Sequence, residues 1–293
     1  MNKFVKTMIA VAIAGGAAFS AQAATVTSTV FKPAGSGGAQ IVAGAAEWDW
    51  SSNGASVVLD AGPFGTPVNV GDSFTSLIQT NLVGWNALGG AQIPAGPGGY
   101  LVGLGVPFAG GGYEFTAVAR FTETVVFAAG NSATFAVTGG TVSIFYDDAA
   151  SGGAQHNLVA GTGFDDGIEI YRGLIVGGVG NFATAGGLGL GSTNLSVQTL
   201  FYDSTVLTGL GPALDLRLNA EGQAAYPPGS ADTSNYHIGG SALYPNYVVG
   251  ANDLRLRFDG SSRFSVPEPS SLALLGAVLV GAGAVARRAR KTA

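Results

Sequence analysis

Two pairs of adjacent carboxylates stand at the edges of apolar runs. Asp147-Asp148 closes one run, and Asp165-Asp166 opens the next, with Gly167 and Glu169 behind it. Hard cations such as calcium take clustered carboxylate and carbonyl oxygens in turns, so these four aspartates are the candidate ligands of a calcium site. Neither pair has the spaced ligands of an established calcium loop, and the competing reading is four solvated turn aspartates. Glu47-Trp48-Asp49-Trp50 is a second candidate. On a strand, Trp48 and Trp50 share one face and Glu47 and Asp49 the other. Exposed, the two indoles would stack on sugar rings while the carboxylates bond hydroxyls; buried, they are core. Trp85 lies apart in a Gly-rich context. His156 and His237 sit in separate loops about 80 residues apart, which predicts solvated side chains and no shared site. The Gly-rich runs 177–180 and 187–191 lack the Gly-Lys-Ser/Thr ending and the βαβ frame of a phosphate loop. There is no Gly-x-Ser-x-Gly elbow either. The chain is read as a non-enzyme, with calcium as its one candidate cofactor.

The last residues carry a different chemistry. Pro267-Glu268-Pro269 holds one carboxylate between two prolines, a stiff extended segment of the form that proteases and transpeptidases read. Residues 270–286 follow as 17 positions without charge. As a helix they would measure ~25 Å, near the lower limit for spanning a bilayer. Gly276, Gly281 and Gly283 dilute the hydrophobicity, which suits a transient anchor. Arg287, Arg288, Arg290 and Lys291 then hold the C-terminal end in the cytoplasm.

The opposite end is consistent with that topology. Lys3 and Lys6 precede an apolar run at 8–19, and Ala21-Gln22-Ala23 supplies a small-x-small cleavage site. Residues 1–23 are therefore a secretory signal peptide, removed by signal peptidase after Ala23. Without the basic residues of the two ends, Lys and Arg fall from 13 to 7 against 18 acids, a net charge of about −11. Such a chain is a poor partner for nucleic acid or for an anionic membrane surface. It has no cysteine, although an exported protein could use disulfides.

Between the two ends, 24–265 reads as one β-rich exported domain. Period-two alternation marks 113–127, with Tyr113, Phe115, Ala117, Ala119, Phe121 and Glu123 on one face and a shift near Thr124. Shorter strands are predicted at 25–31, 56–60, 134–137, 141–146, 167–176, 194–202, 214–218 and 254–258, with a hairpin turn at Gly139-Gly140. The glycines, 48 in all, bunch at 35–38, 89–112 and 177–191, which are read as loops. The expected fold is all-β, a β-sandwich or β-rich barrel with Gly-rich loops. A cleaved signal helix is expected before it and one transmembrane helix after it.

The order of Pro267-Glu268-Pro269, apolar segment and basic cluster resembles the PEP-CTERM sorting tail, here 266–291. That resemblance implies processing by an exosortase, a transient stay in the inner membrane, and delivery to the cell surface or extracellular matrix of a Gram-negative bacterium that makes exopolysaccharide. Within that group, Phe121-Thr122-Glu123-Thr124 and 142–148 are similar to flocculation-associated members. This likeness implies a non-enzymatic protein that helps extracellular polysaccharide hold cells in flocs or biofilm. The alternative function is a secreted carbohydrate-binding or carbohydrate-active protein, resting on Trp48, Trp50 and the carboxylates.

Overall fold

The structure, a computed structural model, describes residues 24–62, 66–93, 108, 111–157, 161–185, 188–209, 215–221, 224–225, 250 and 252–266. The chain divides into two units, Thr25–Phe264 and a second made of Met1–Ala24 with Ser265–Ala293. Of the second unit only Ala24, Ser265 and Val266 are described, each within a strand. The signal peptide, the sorting motif, the apolar segment and the basic cluster lie outside the described residues. Among the described residues no helix is long and apolar enough to cross a membrane.

Among the described residues thirteen strands build the β unit. They are β1 (Ala24–Thr25), β2 (Ser28–Phe31), β3 (Gln40–Leu59), β4 (Ser73–Ala87), β5 (Gln92–Ile93), β6 (Tyr113–Ala129), β7 (Ser132–Asp148), β8 (Ile168–Ala185), β9 (Leu188–Tyr202), β10 (Leu207–Thr208), β11 (Asp215–Glu221), β12 (Ala224–Ala225) and β13 (Leu254–Val266). A short 3-10 turn spans Ala34–Ser36. The sheet runs β3-β4-β6-β7-β8-β9-β11-β13, and β13 returns to pair with β3. The result is a nearly closed, barrel-like all-β body. β13 meets β3 antiparallel, from Leu254 opposite Val58 to Ser262 opposite Trp48. Wrapping the sheet onto itself covers most of its edges, the usual remedy for unpaired strand backbone.

The alternation read along 113–127 is the inner face of β6. Tyr113, Phe115, Ala117, Ala119, Phe121 and Val125 are buried, and the ladder to β7 slips between Thr122 and Glu123 and again between Val125 and Phe127. The outer face splits in two. Arg120 and Thr122 are exposed, whereas Glu114, Thr116 and Val118 are buried. They are covered by the segment after β7, whose Phe164 packs on Val118 and Phe145.

Two expectations are corrected, and one strand is added to those expected. The hairpin between β6 and β7 turns at Gly130-Asn131 and not at Gly139-Gly140, which lie inside a continuous β7. A Cβ on Gly140 would run into the Arg120 carbonyl and Phe121, so that pair permits close strand approach at the bulge. The Gly-rich run 177–191 is largely strand, because glycine lets β8 and β9 approach closely. A Cβ on Gly178 would collide with the Asn194 carbonyl, and one on Gly191 with the Asn181 carbonyl. Finally, β4 was not anticipated, since its run Ser73–Ala87 mixes polar residues into both faces.

Candidate functional site

The two ends of the barrel interior differ in chemistry. At the end where β6 begins, aromatic rings fill the space. Trp48 lies 5.4 Å from Phe115, 5.9 Å from Trp50 and from Phe264, and 6.2 Å edge-on from Trp85. Phe115 meets Tyr146 at 5.3 Å, and Tyr113 stacks on Tyr146 at 6.1 Å. Trp48, Trp50 and Trp85 are 0%, 1% and 0% exposed, and the Trp50 indole N–H donates to Ser262 Oγ at 2.9 Å. The reading of Trp48 and Trp50 as a sugar-stacking platform is therefore corrected: both faces of these rings are already occupied by protein. Their strand-mates have different roles. Glu47 pairs with Arg263 and accepts from Asn86 Nδ2 at 3.1 Å. Burial, with Asp259 and Glu47 nearby, raises the Asp49 carboxyl above the usual carboxylate range.

The first aspartate pair ends β7 on opposite faces. Asp148 is held by the protein itself. Tyr146 Oη donates to it at 2.7 Å, Ser36 Oγ at 3.0 Å, and the Ala150 and Ser151 amides at 2.9 Å each. Burial alone would raise this carboxyl, but those donors outweigh it and lower its pKa. Asp147 faces outward under the covering segment, directly across the ladder from Glu114. Its Oδ1 accepts from Ser151 Oγ and from the Asp148 amide, and its Oδ2 is buried against Gly153 without a donor. Burial raises its pKa, and the negative charges of Asp166 and Glu114 add to the rise.

The second pair lies on the covering segment, where Asp166 Oδ2 accepts from the Ala154 amide at 3.0 Å. Among the described residues no three carboxylate, imidazole or thiol side chains converge on a position that could hold a metal ion. Asp147 and Asp148 instead tie the covering segment and the 3-10 turn to the end of β7.

His156 departs from the solvated loop histidine that its sequence context predicts. Its ring pairs with Glu114, its backbone amide donates to the same carboxylate at 2.9 Å, and its ring packs 5.3 Å from Phe164. The signal in the sequence is Glu114 itself, a carboxylate on the face of β6 that it shares with Thr116 and Val118. His237 lies outside the described residues.

At the other end of the barrel, where β6 finishes, the interior holds a cavity of about 150 Å³. Phe74, Phe135, Phe182 and Leu256 contribute to its walls, and Glu123 and Thr193 are its buried polar groups. Ser76 Oγ donates to Glu123 Oε2 at 2.8 Å. Burial raises the Glu123 pKa, and the Ser76 hydrogen bond opposes that rise only in part. The alternation in the sequence puts Glu123 on the same face as Tyr113, Phe115 and Phe121 and assigns it no role.

The strand that closes the barrel ends at Val266, immediately before Pro267. A family model described as the PEP-CTERM protein-sorting motif matches residues 265–291. The chain carries a PEP-CTERM sorting tail. This tail marks an exported protein that is processed by an exosortase and sorted by its C-terminus to the cell surface. The PEP-CTERM match leaves 1–264 unassigned, and no curated protein and no solved structure matches the chain.

Proposed function

We propose that the barrel is a structural, non-catalytic part of the cell surface or extracellular matrix, supporting cell aggregation that depends on exopolysaccharide. The observation that carries this reading is the PEP-CTERM tail, which directs the protein to the surface. The body it delivers has the character of a spacer. Its strands are long, Trp48, Trp50 and Trp85 are spent on the core, and its charge is about −11 between the basic residues of the two ends. Adhesion by many weak contacts needs no preorganised reactive centre, because copies displayed on one surface supply avidity.

An acidic surface repels an anionic polymer, so divalent cations such as calcium serve as bridges in this reading. Asp165 and Asp166, on the covering segment, suit that role better than Asp147 and Asp148, which are buried. The partners are the exosortase and signal peptidase in processing, the inner membrane for a time, and extracellular polysaccharide at the end.

Deleting the gene tests this reading. Cells should disperse from flocs or biofilm while polymer production stays largely intact, and re-expression should restore aggregation. Loss of the polymer itself, or cleavage of the polymer by the purified processed chain, would overturn the structural role and favour the carbohydrate-active alternative.

A further inference from the structure

The cavity at the far end of the barrel combines apolar walls with a buried carboxyl, and its chemistry is independent of the sorting tail. Its walls come from β3, β4, β7, β8 and β13, with Val58, Phe74, Phe135, Phe182 and Leu256 supplying apolar surface. Val58 and Leu256 form a small cluster of their own, packed by partly buried Phe74, Phe182 and Ala61. Pockets of this kind at barrel mouths, largely apolar with a few convergent polar groups, are where small molecules bind. The polar group here is a carboxyl. Glu123 is 6% exposed, and its Oε2 is held by Ser76. Gly180 keeps the space beside its Oε1 open. A Cβ there would stand 2.8 Å from Thr193 Oγ1, crowding it, and 3.6 Å from Glu123 Oε1, taking up the space in contact with that oxygen.

We infer that the barrel mouth binds one small apolar amine, its ammonium group on Glu123 Oε1 and Thr193 Oγ1 and its hydrocarbon among Phe74, Phe135, Phe182 and Leu256. Three considerations select this ligand class. An ionised carboxylate in an apolar enclosure is costly unless a cation or several donors offset it. Among the described residues no cationic side chain forms an ion pair with Glu123; the pairs formed involve Glu47, Glu114 and Glu169. A ligand that brings its own positive charge supplies what the protein does not. The excess of acids over bases also draws cations toward the barrel and disfavours anions. The size follows from the volume: about 150 Å³ is the space that accepts one benzene-sized molecule.

The test is calorimetric titration of the full chain in lipid nanodiscs, with protein-free nanodiscs as the blank. The probes are benzylamine and its uncharged counterpart benzyl alcohol. Benzylamine should bind saturably at one site, and more tightly than benzyl alcohol. Glu123→Gln keeps the side-chain shape and an acceptor for Ser76. It should weaken benzylamine on the order of tenfold or more, while leaving the alcohol within about twofold. Ala61→Phe, at the rim, should fill the cavity and abolish both. Circular dichroism of each variant confirms the fold. The inference fails if wild-type protein takes up no benzylamine saturably, if the alcohol binds as well as the amine, or if Ala61→Phe binds both probes unchanged. Loss of aggregation on gene deletion has no bearing on these outcomes, so the two readings stand or fall separately.

Discussion

Glu123 shows how one residue can be poised by its surroundings. It sits on the inner face of β6, opposite Phe74 on β4 and opposite Val137 on β7. Burial raises its folded pKa above the unfolded value of 4.5, despite the Ser76 hydroxyl. The sign of the linkage follows. Below pH about 4.5 the carboxyl is protonated in both states and costs the fold nothing. As pH rises toward and through the folded pKa, the unfolded chain ionises more readily than the folded one, and stability is lost. Glu123→Gln removes that loss. Without added amine, the variant should unfold at higher urea concentration than wild type at pH 8, and the two should converge at pH 4. Equal midpoints at both pH values would show that Glu123 ionises in the fold as freely as in the unfolded chain. The alternation along 113–127 puts Glu123 on the face of Phe115 and Phe121, but its burial depends on neighbours such as Phe74 and Val137, which other strands bring. The same holds for Trp48 and Trp50. Their shared face was legible from spacing, but whether it looked inward depended on Phe115, Trp85 and Phe264, from strands distant in sequence.

At the scale of strands, the alternation of β6 was readable because its inner face keeps period two over most of its length. β4 was not readable, since buried Ser76, Gln79, Thr80 and Asn81 interrupt its apolar pattern. Glycine misled in the other direction. At 139–140 and 177–191 it suggests turns, yet it serves there to bring backbones together. Gly140 and Gly139 offer a controlled comparison on β7. A Cβ on Gly140 would enter the backbone of Arg120 and Phe121, whereas one on Gly139 would meet only the Ile175 carbonyl at 3.8 Å. Both substitutions carry a similar backbone conformation, with φ of 159° and 158°. Gly140→Ala should therefore lose at least about 2 kcal/mol more stability than Gly139→Ala, because the strands must move apart. Urea denaturation of the two variants measures this. Equal losses would mean that β6 and β7 adjust freely at the bulge.

For the whole molecule, the architecture was legible as all-β and the destination as the cell surface, from separate stretches of sequence. The tail needed only local order: proline-flanked Glu268, an uncharged segment and four cations. Changing Glu268→Ala leaves the apolar segment and Arg287, Arg288, Arg290 and Lys291 untouched. Membrane insertion should persist, and exosortase processing should fall at least tenfold, so that precursor accumulates at the inner membrane. Immunoblots of fractionated cells would detect this. Mature protein at the surface in wild-type amounts would mean that recognition rests on other tail residues.

The pairing of β13 with β3 also has a consequence in time. Leu254 meets Val58 and Ser262 meets Trp48, so the seam joins segments about two hundred residues apart in the chain. A polypeptide threaded outward from its N-terminus delivers β3 early and β13 last. Until then β3 lacks its partner along that seam, and the aromatic interior lacks Phe264. Contacts so distant in sequence form slowly, because the intervening loop must be ordered first. Closure is thus deferred until β13, the strand that leads into the sorting tail, has been threaded. A sheet that lacks β13 has an unpaired edge along β3, the kind of edge that mispairs with neighbouring copies. An anchor that delays release until the last strand has docked would keep each copy apart from the others during that interval.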